Sequence, residues 1–179
     1  MNYRRFGSTD LLCSEIGLGC QSIGGGLFND ESSAERILHK AFDGGINFFD
    51  SSDHYSMGRS EEWLGKAFLR GRHEIVIATK VGTRYDAARV MALRMRRLVS
   101  PLSSLLLPFR KRLHRFRAGG RRQDFCPSYV VNAVESSLRR LQTDYLDILQ
   151  LHKPPPGALR DEELIRTLER LKQDGKIRN

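Results

Sequence analysis

No run of the 179-residue chain approaches the roughly 20 apolar residues that a membrane-spanning helix requires. The opening stretch Met1-Asn2-Tyr3-Arg4-Arg5-Phe6-Gly7 lacks the apolar segment of a secretory signal, so nothing here directs export. Cysteine is scarce: Cys13, Cys20 and Cys126 are an odd number, far apart, with no CxxC pair. That excludes a disulfide framework or a zinc site built on paired cysteines, and is in keeping with reduced thiols in a cytoplasmic protein. No metal is expected. Acidic residues are missing from one place in particular. Between Thr83 and Arg122 twelve basic residues face the single acid Asp86, a net +11, so the rest of the chain carries −2 of the total +9. Basic charge is therefore local, and the sequence around it is ordinary and slightly acidic.

What is present is 40% hydrophobic residues, enough for one core and hence one soluble domain over 1–179. Tyr3 to Phe6 and Leu11 to Ser14 flank the turn-like Gly7-Ser8-Thr9-Asp10 and predict a small hairpin. Short apolar runs then alternate with amphipathic stretches. Glu15 to Gly19 predicts a strand running into Gly24-Gly25-Gly26, and Ala34, Ile37, Leu38, Ala41 and Phe42 form one face of a helix that Gly44 can end. Ile46 to Phe49 is a second strand ending at Asp50, followed by a helix around Trp63, Leu64, Ala67 and Phe68 for which Ser60 is the candidate cap. Glu74 to Thr79 is a third strand ending at Lys80. Past the basic segment, Pro127 suits a first helical turn, and Val130, Val131, Val134, Leu138 and Leu141 form a stripe. Tyr145 to Leu151 is a fourth strand ending at His152, and Leu164, Ile165, Leu168 and Leu171 mark a last helix closed by Gly175. A fifth strand begins at Lys176-Ile177-Arg178-Asn179. Strand and helix in alternation predict an α/β fold with a parallel sheet, as a (β/α) barrel or an open doubly wound sheet.

Polar residues fall at one end of this pattern. Asp50, Lys80 and His152 each end a strand, and Tyr55 lies in the loop after Asp50. Each alone is ordinary: an aspartate caps turns, a tyrosine packs, a lysine is solvated, a histidine sits satisfied in a core. Four chemical types at equivalent ends of successive strands point to a site, because loops at the carboxyl ends of parallel strands converge on a rigid scaffold. Reducing a carbonyl by hydride transfer needs an acid to protonate its oxygen, and a tyrosine hydroxyl can serve. A phenol is a weak acid near neutral pH, but an ammonium from Lys80 favours the phenolate it becomes, Asp50 holds Lys80 charged, and His152 can donate a hydrogen bond to the oxygen. No side chain supplies hydride, so a nicotinamide cofactor is implied.

The sequence resembles the N-terminal half of an aldo-keto reductase. The matching stretches are Gly17-Leu18-Gly19, Gly44-Gly45-Ile46-Asn47-Phe48-Phe49-Asp50 through Tyr55, and Gly58-Arg59-Ser60-Glu61-Glu62-Trp63-Leu64-Gly65. Ile77-Ala78-Thr79-Lys80-Val81-Gly82 follows, then Ser137-Leu138-Arg139-Arg140-Leu141 through Asp144-Tyr145-Leu146-Asp147 to Leu151-His152. The resemblance implies a TIM-type (β/α) barrel, of which this chain holds about the first four units. It also implies NADPH (NADP+) as cofactor, a small-molecule aldehyde or ketone as substrate, and Tyr55 as proton donor. Cys20, Gln21 and Asp50 match positions at the nicotinamide end of the cofactor site. Ser51-Ser52 replaces the more usual Thr-Ala, and Asp10 stands where glycine is common; neither touches the chemistry.

The complete barrel takes about 250 residues, so the chain is expected to stop before the fifth strand is complete, with open edges and an exposed apolar interior. A truncated, catalytically silent product, self-association and a second half-barrel from another chain are the three accounts of that. The basic insertion 83–122 predicts a charged flap. A peripheral contact with anionic membrane is the second reading of it, and nucleic acid the least favoured, since no nucleic-acid motif accompanies the charge.

Overall fold

A computed structural model describes residues 1–25, 30–85 and 121–179. It divides into two units, Met1–Gly82 with Phe125–Asn179, and Thr83–Asp124.

The first unit opens with the expected hairpin. β1 (Tyr3–Arg5) and β2 (Leu12–Ser14) pair antiparallel, Tyr3 opposite Ser14 and Arg5 opposite Leu12. The turn between them needs a left-handed residue, supplied by Gly7 at φ 57°. Then come β3 (Leu18–Gly19), α1 (Glu31–Asp43), β4 (Phe48–Asp50), α2 (Arg59–Ala67) and β5 (Val76–Val81). The second unit contributes β6 (Thr83–Tyr85) and β7 (Arg121–Gln123), an antiparallel pair. Most of the basic insertion, and with it the flap, membrane and nucleic-acid readings, lies outside the described residues. The first unit resumes with α3 (Pro127–Leu141), β8 (Ile148–Leu151) and α4 (Glu162–Gln173).

The local signals explain the helix ends. Asp30 caps α1 by accepting the Ser33 backbone N–H at 2.7 Å, and Asp161 caps α4 through the N–H groups of Glu163 and Leu164. Pro127 occupies the first turn of α3, where its missing N–H costs nothing. Ser60, expected as a cap, is not one. α2 starts two residues earlier than that cap implies, at Arg59 behind Gly58, whose φ of 87° only glycine adopts without strain, and the buried Ser60 hydroxyl bonds instead to the Cys20 carbonyl at 2.8 Å and to Ser51 Oγ at 2.9 Å. Of the apolar residues that mark α4, Ile165 is exposed, and Thr167 is buried with Leu164 and Leu171.

The four main strands form one parallel sheet in the order β3-β4-β5-β8. Neighbours in space are neighbours in sequence, with no reversal of direction. A doubly wound sheet reverses its strand order at a switch point, whereas a barrel winds one way, so the barrel reading holds. The chain beyond α4 adds to the same edge: Ile177 bridges Leu146 in parallel, and Leu149 N–H donates to the Asn179 carbonyl at 2.9 Å.

Alternation along the strands sorts the side chains. Phe49, Ile77, Leu149 and Val81 face the helices and join Leu38, Leu64, Val134, Leu138 and Leu164 in the main core. The fully buried ones among these, such as Phe49, Ile77, Leu38 and Leu64, contribute roughly 1.5–3 kcal/mol each. Phe48, Val76, Ala78 and Ile148 face the other way and pack with Leu11 and Cys13 of the hairpin. This corrects the expectation of an exposed apolar interior: Val76, Ala78 and Ile148 are buried, because the hairpin region packs against them. Among the described residues, no helix is long and apolar enough to cross a membrane.

Candidate active site

Two residues beyond Val76 and Ala78, the inward alternation of β5 reaches Lys80. Asp50, at the end of β4, sits in register with Ala78, so its carboxylate and the Lys80 ammonium share one face. They meet at 2.5 Å, and Lys80 Nζ also donates to the Ser51 carbonyl at 2.9 Å. The Lys80 side chain is only 15% exposed and the Asp50 side chain 35%, so the pair is partly shielded from water and one carboxylate edge remains open.

Tyr55 begins a short 3₁₀ turn, Tyr55–Gly58, after the loop from β4. Its ring centroid lies 5.2 Å from Lys80 Nζ, within cation–π range. The turn is strained: Ser56 and Met57 adopt left-handed φ angles of 51° and 62°. Strain of this kind persists where the surroundings hold it, and Ser56 Oγ donates to the Ile23 carbonyl at 3.0 Å.

His152 follows β8, its backbone N–H bonded to the Val81 carbonyl at 2.8 Å. Its ring stands edge-on to Tyr55 at 6.4 Å. Burial pushes the imidazole below the usual histidine range, and His54, Lys80 and Lys153 add to that while Asp53 opposes it. The site therefore favours the neutral form of the His152 ring. Its Nδ1 is buried without a hydrogen-bond partner among the described residues.

Asp50, Tyr55, Lys80 and His152 thus come together at the carboxyl ends of three adjacent strands. The remaining two expected residues part company. Cys20 is wholly buried, its thiol directed at the Leu18 carbonyl and pushed up to about 12, by burial first and the Asp50 charge second. What it offers the site is main chain: its N–H donates to the Asp50 carbonyl at 2.8 Å. Gln21 is exposed. Among the described residues no group of three His, Cys, Asp or Glu is placed to hold a metal ion.

Residues the sequence did not single out complete the surroundings. His54 is 8% exposed, with Nδ1 2.8 Å from Ser52 Oγ, and its ring lies 4.6 Å from His152 and 4.9 Å from Tyr55. Behind Lys80, its neighbour Thr79 turns to the helices and donates to Glu61 at 2.6 Å. Glu61 is fully buried and also accepts from Arg140 Nε at 2.7 Å, which ties β5, α2 and α3 together. Adjacency to Tyr55 is the one signal that would have flagged His54; nothing in spacing flags Glu61.

Comparison with known proteins adds three findings. The model of the aldo/keto reductase family matches residues 15–179. The uncharacterized oxidoreductase YqkF of Bacillus subtilis is 36% identical over 180 residues, 99% of this chain and 47% of that protein. The aldo-keto reductase YhdN of the same organism is 31% identical, again over 99% of this chain, and covers 45% of its own length. Among solved structures, the holo form of aldo-keto reductase AKR11C1 from Bacillus halodurans superposes with a TM-score of 0.74 at 35% identity, covering 99% of this chain and 48% of that one. The chain spans about half the length of the relatives it matches.

Proposed function

The chain belongs to the aldo/keto reductase family, and from that premise we propose that it reduces an aldehyde or ketone to an alcohol with NADPH, Tyr55 donating the proton. The observation that carries this is the Lys80 ammonium, joined to Asp50 at 2.5 Å and 5.2 Å from the Tyr55 ring, with His152 on the same face. NADP(H) over NADH is part of the proposal, as is NADP+ in the reverse direction.

The residues fit the nicotinamide end of such a cofactor. On β3, beside Asp50, a Cβ added at Gly19 would meet nothing within 4 Å, so the rim there is open. The open edge of the Asp50 carboxylate and the exposed Gln21 amide are hydrogen-bonding groups suited to a ribose and a carboxamide, with Cys20 holding the loop by its backbone. When bound, the cofactor supplies the hydride.

The chain's own residues supply the proton and the electrostatics. The Tyr55 hydroxyl donates to the carbonyl oxygen as negative charge develops on it. The Lys80 ammonium stabilises the phenolate left behind, and Asp50 holds that ammonium in place. His152 binds the same oxygen. Its buried Nδ1 has no partner among the described residues, and a buried orphan acceptor is cheaper than a buried orphan N–H, which favours the tautomer whose Nε2 carries the proton and donates.

A second reading is favoured by the coverage of the relatives, about half their length. It is a chain that keeps the four residues but binds no cofactor by itself. Fluorescence titration with NADPH separates the two. Submillimolar binding by the isolated chain supports the enzyme and sinks the silent reading, whereas no binding at millimolar NADPH sinks the enzyme reading for this chain.

A further inference from the structure

A catalytic histidine is ordinarily oriented by the hydrogen bond that its second ring nitrogen makes. His152 lacks that bond: its Nδ1 has no partner among the described residues, and its backbone N–H is what ties it to Val81. Something else must hold the plane of the ring. The neighbour in place is His54, tilted 52° against His152 at 4.6 Å and also edge-on to Tyr55 at 4.9 Å.

His54 is itself firmly held. Its Nδ1 lies 2.8 Å from Ser52 Oγ and 3.5 Å from Asp53 Oδ1. The segment carrying it is stitched to the strand of the lysine. The Lys80 carbonyl accepts from the Asp53 N–H at 3.1 Å and from Ser52 Oγ at 3.3 Å. The Asp53 side chain is 8% exposed, so the whole arrangement sits below the surface.

We propose that His54 is a positioning residue of the site: in contact with both Tyr55 and His152 and fixed by Ser52 and Asp53, it sets the orientation in which the His152 imidazole meets the carbonyl oxygen. The catalytic consequence rests on the reductase reading; the orienting contact does not. Two imidazoles this close do not both carry charge at modest cost, so His54 also helps to keep His152 neutral. The charged and titratable groups around the pair are Asp53, Tyr55, Lys80 and Lys153, with Asp50 behind Lys80.

The test follows the imidazole signals of the full chain by long-range ¹H–¹⁵N NMR during a pH titration, with His152→Gln used only to assign them. The variants are His54→Ala, His54→Gln, which keeps a bond to Ser52 without a ring, and His54→Phe, which keeps a ring without charge. In His54→Ala and His54→Gln the His152 signals are expected to shift and broaden as the ring gains freedom, and its midpoint to rise toward about 6.5. In His54→Phe the signals stay sharp while the midpoint still rises. Signals and midpoint unchanged from wild type in both His54→Ala and His54→Gln overturn the proposal. The second readout is reduction of an aromatic aldehyde by NADPH. Positioning predicts about a tenfold fall in kcat for His54→Gln with KM changed by less than about twofold, and recovery of most of it in His54→Phe. Equal losses in the two variants would also overturn it. A wild-type chain without turnover refutes the reductase reading, and the NMR titration then decides the orienting role by itself.

Discussion

Replacing Arg140 with leucine should expose how the scaffold beneath Lys80 is held. Glu61 is fully buried, and burial raises its carboxyl above the usual range even though Arg140, Thr79 and Ser137 pull the other way. Removing the guanidinium leaves the hydroxyls of Thr79, at 2.6 Å, and Ser137 as partners and strips away the largest attraction. Breaking a buried ion pair costs about 3–5 kcal/mol. Because the Arg140 side chain is 23% exposed, the pair is partly screened, which argues for the lower end, about 3 kcal/mol. That cost depends on pH. A carboxyl whose folded pKa is raised binds its proton more tightly in the native state. Its contribution to stability is intact below the unfolded value and is lost as pH rises through the folded one. Without Arg140 the carboxyl is raised further still, so protonation relieves more of the penalty at pH 5 than at pH 8. Urea unfolding of wild type and Arg140→Leu at both values measures this. The loss at pH 8 should exceed that at pH 5 by about 1.4 kcal/mol or more, one pKa unit's worth. The double variant Glu61→Leu/Arg140→Leu should recover most of it, since no orphaned charge remains. Equal losses at the two pH values, or no recovery in the double variant, would refute the reasoning.

Other perturbations follow from the packing. A Cβ at Gly65 would run into the Leu141 backbone, so Gly65→Ala should push α2 and α3 apart and cost about 1–3 kcal/mol, read as a lower urea midpoint. Met57, half-buried at φ 62°, should gain on substitution by glycine: relief of about 1 kcal/mol in Met57→Gly appears as a higher midpoint. The Cys20 thiol, pushed up to about 12, keeps its proton in the fold where an unfolded thiol loses it near 8.5. Its stabilising contribution is complete below about pH 8.5 and is lost as pH rises toward 12, so the alkaline decline in stability should be shallower in Cys20→Ala. In native chain at pH 8, a thiol reagent should modify exposed Cys126 well before buried Cys13 and Cys20.

Much of this molecule was legible before any coordinates. The hairpin, the alternation of strands and helices and the strand-end positions of Asp50, Lys80 and His152 follow from period-2 and period-3.6 patterns, which local chemistry controls. Strand limits were less accurate: the fourth strand reads as Tyr145 to Leu151 but pairs with β5 only over Ile148–Leu151, because Asp147 is drawn into bonds with Arg72 at 2.7 Å and the Ile77 N–H at 3.0 Å. Periodicity alone left barrel and doubly wound sheet open, since strand order is a long-range property; the resemblance to the aldo-keto reductases pointed to the barrel, and the order β3-β4-β5-β8 agrees with it. Ser60 was misread as a cap because its partners, Cys20 and Ser51, are distant or indirect in sequence. His54 was invisible for the same reason: its significance lies in a ring 98 positions away along the chain, brought to 4.6 Å only by folding.

Convergence of Asp50, Tyr55, Lys80 and His152 on one reacting oxygen is tested most directly by aldehyde-dependent oxidation of NADPH, comparing the chain with Tyr55→Phe and Lys80→Met. A shared proton-donating site predicts turnover by the wild type that falls by about 10²-fold or more in either variant, with folding intact. Variants that reduce the aldehyde as fast as the wild type would contradict it.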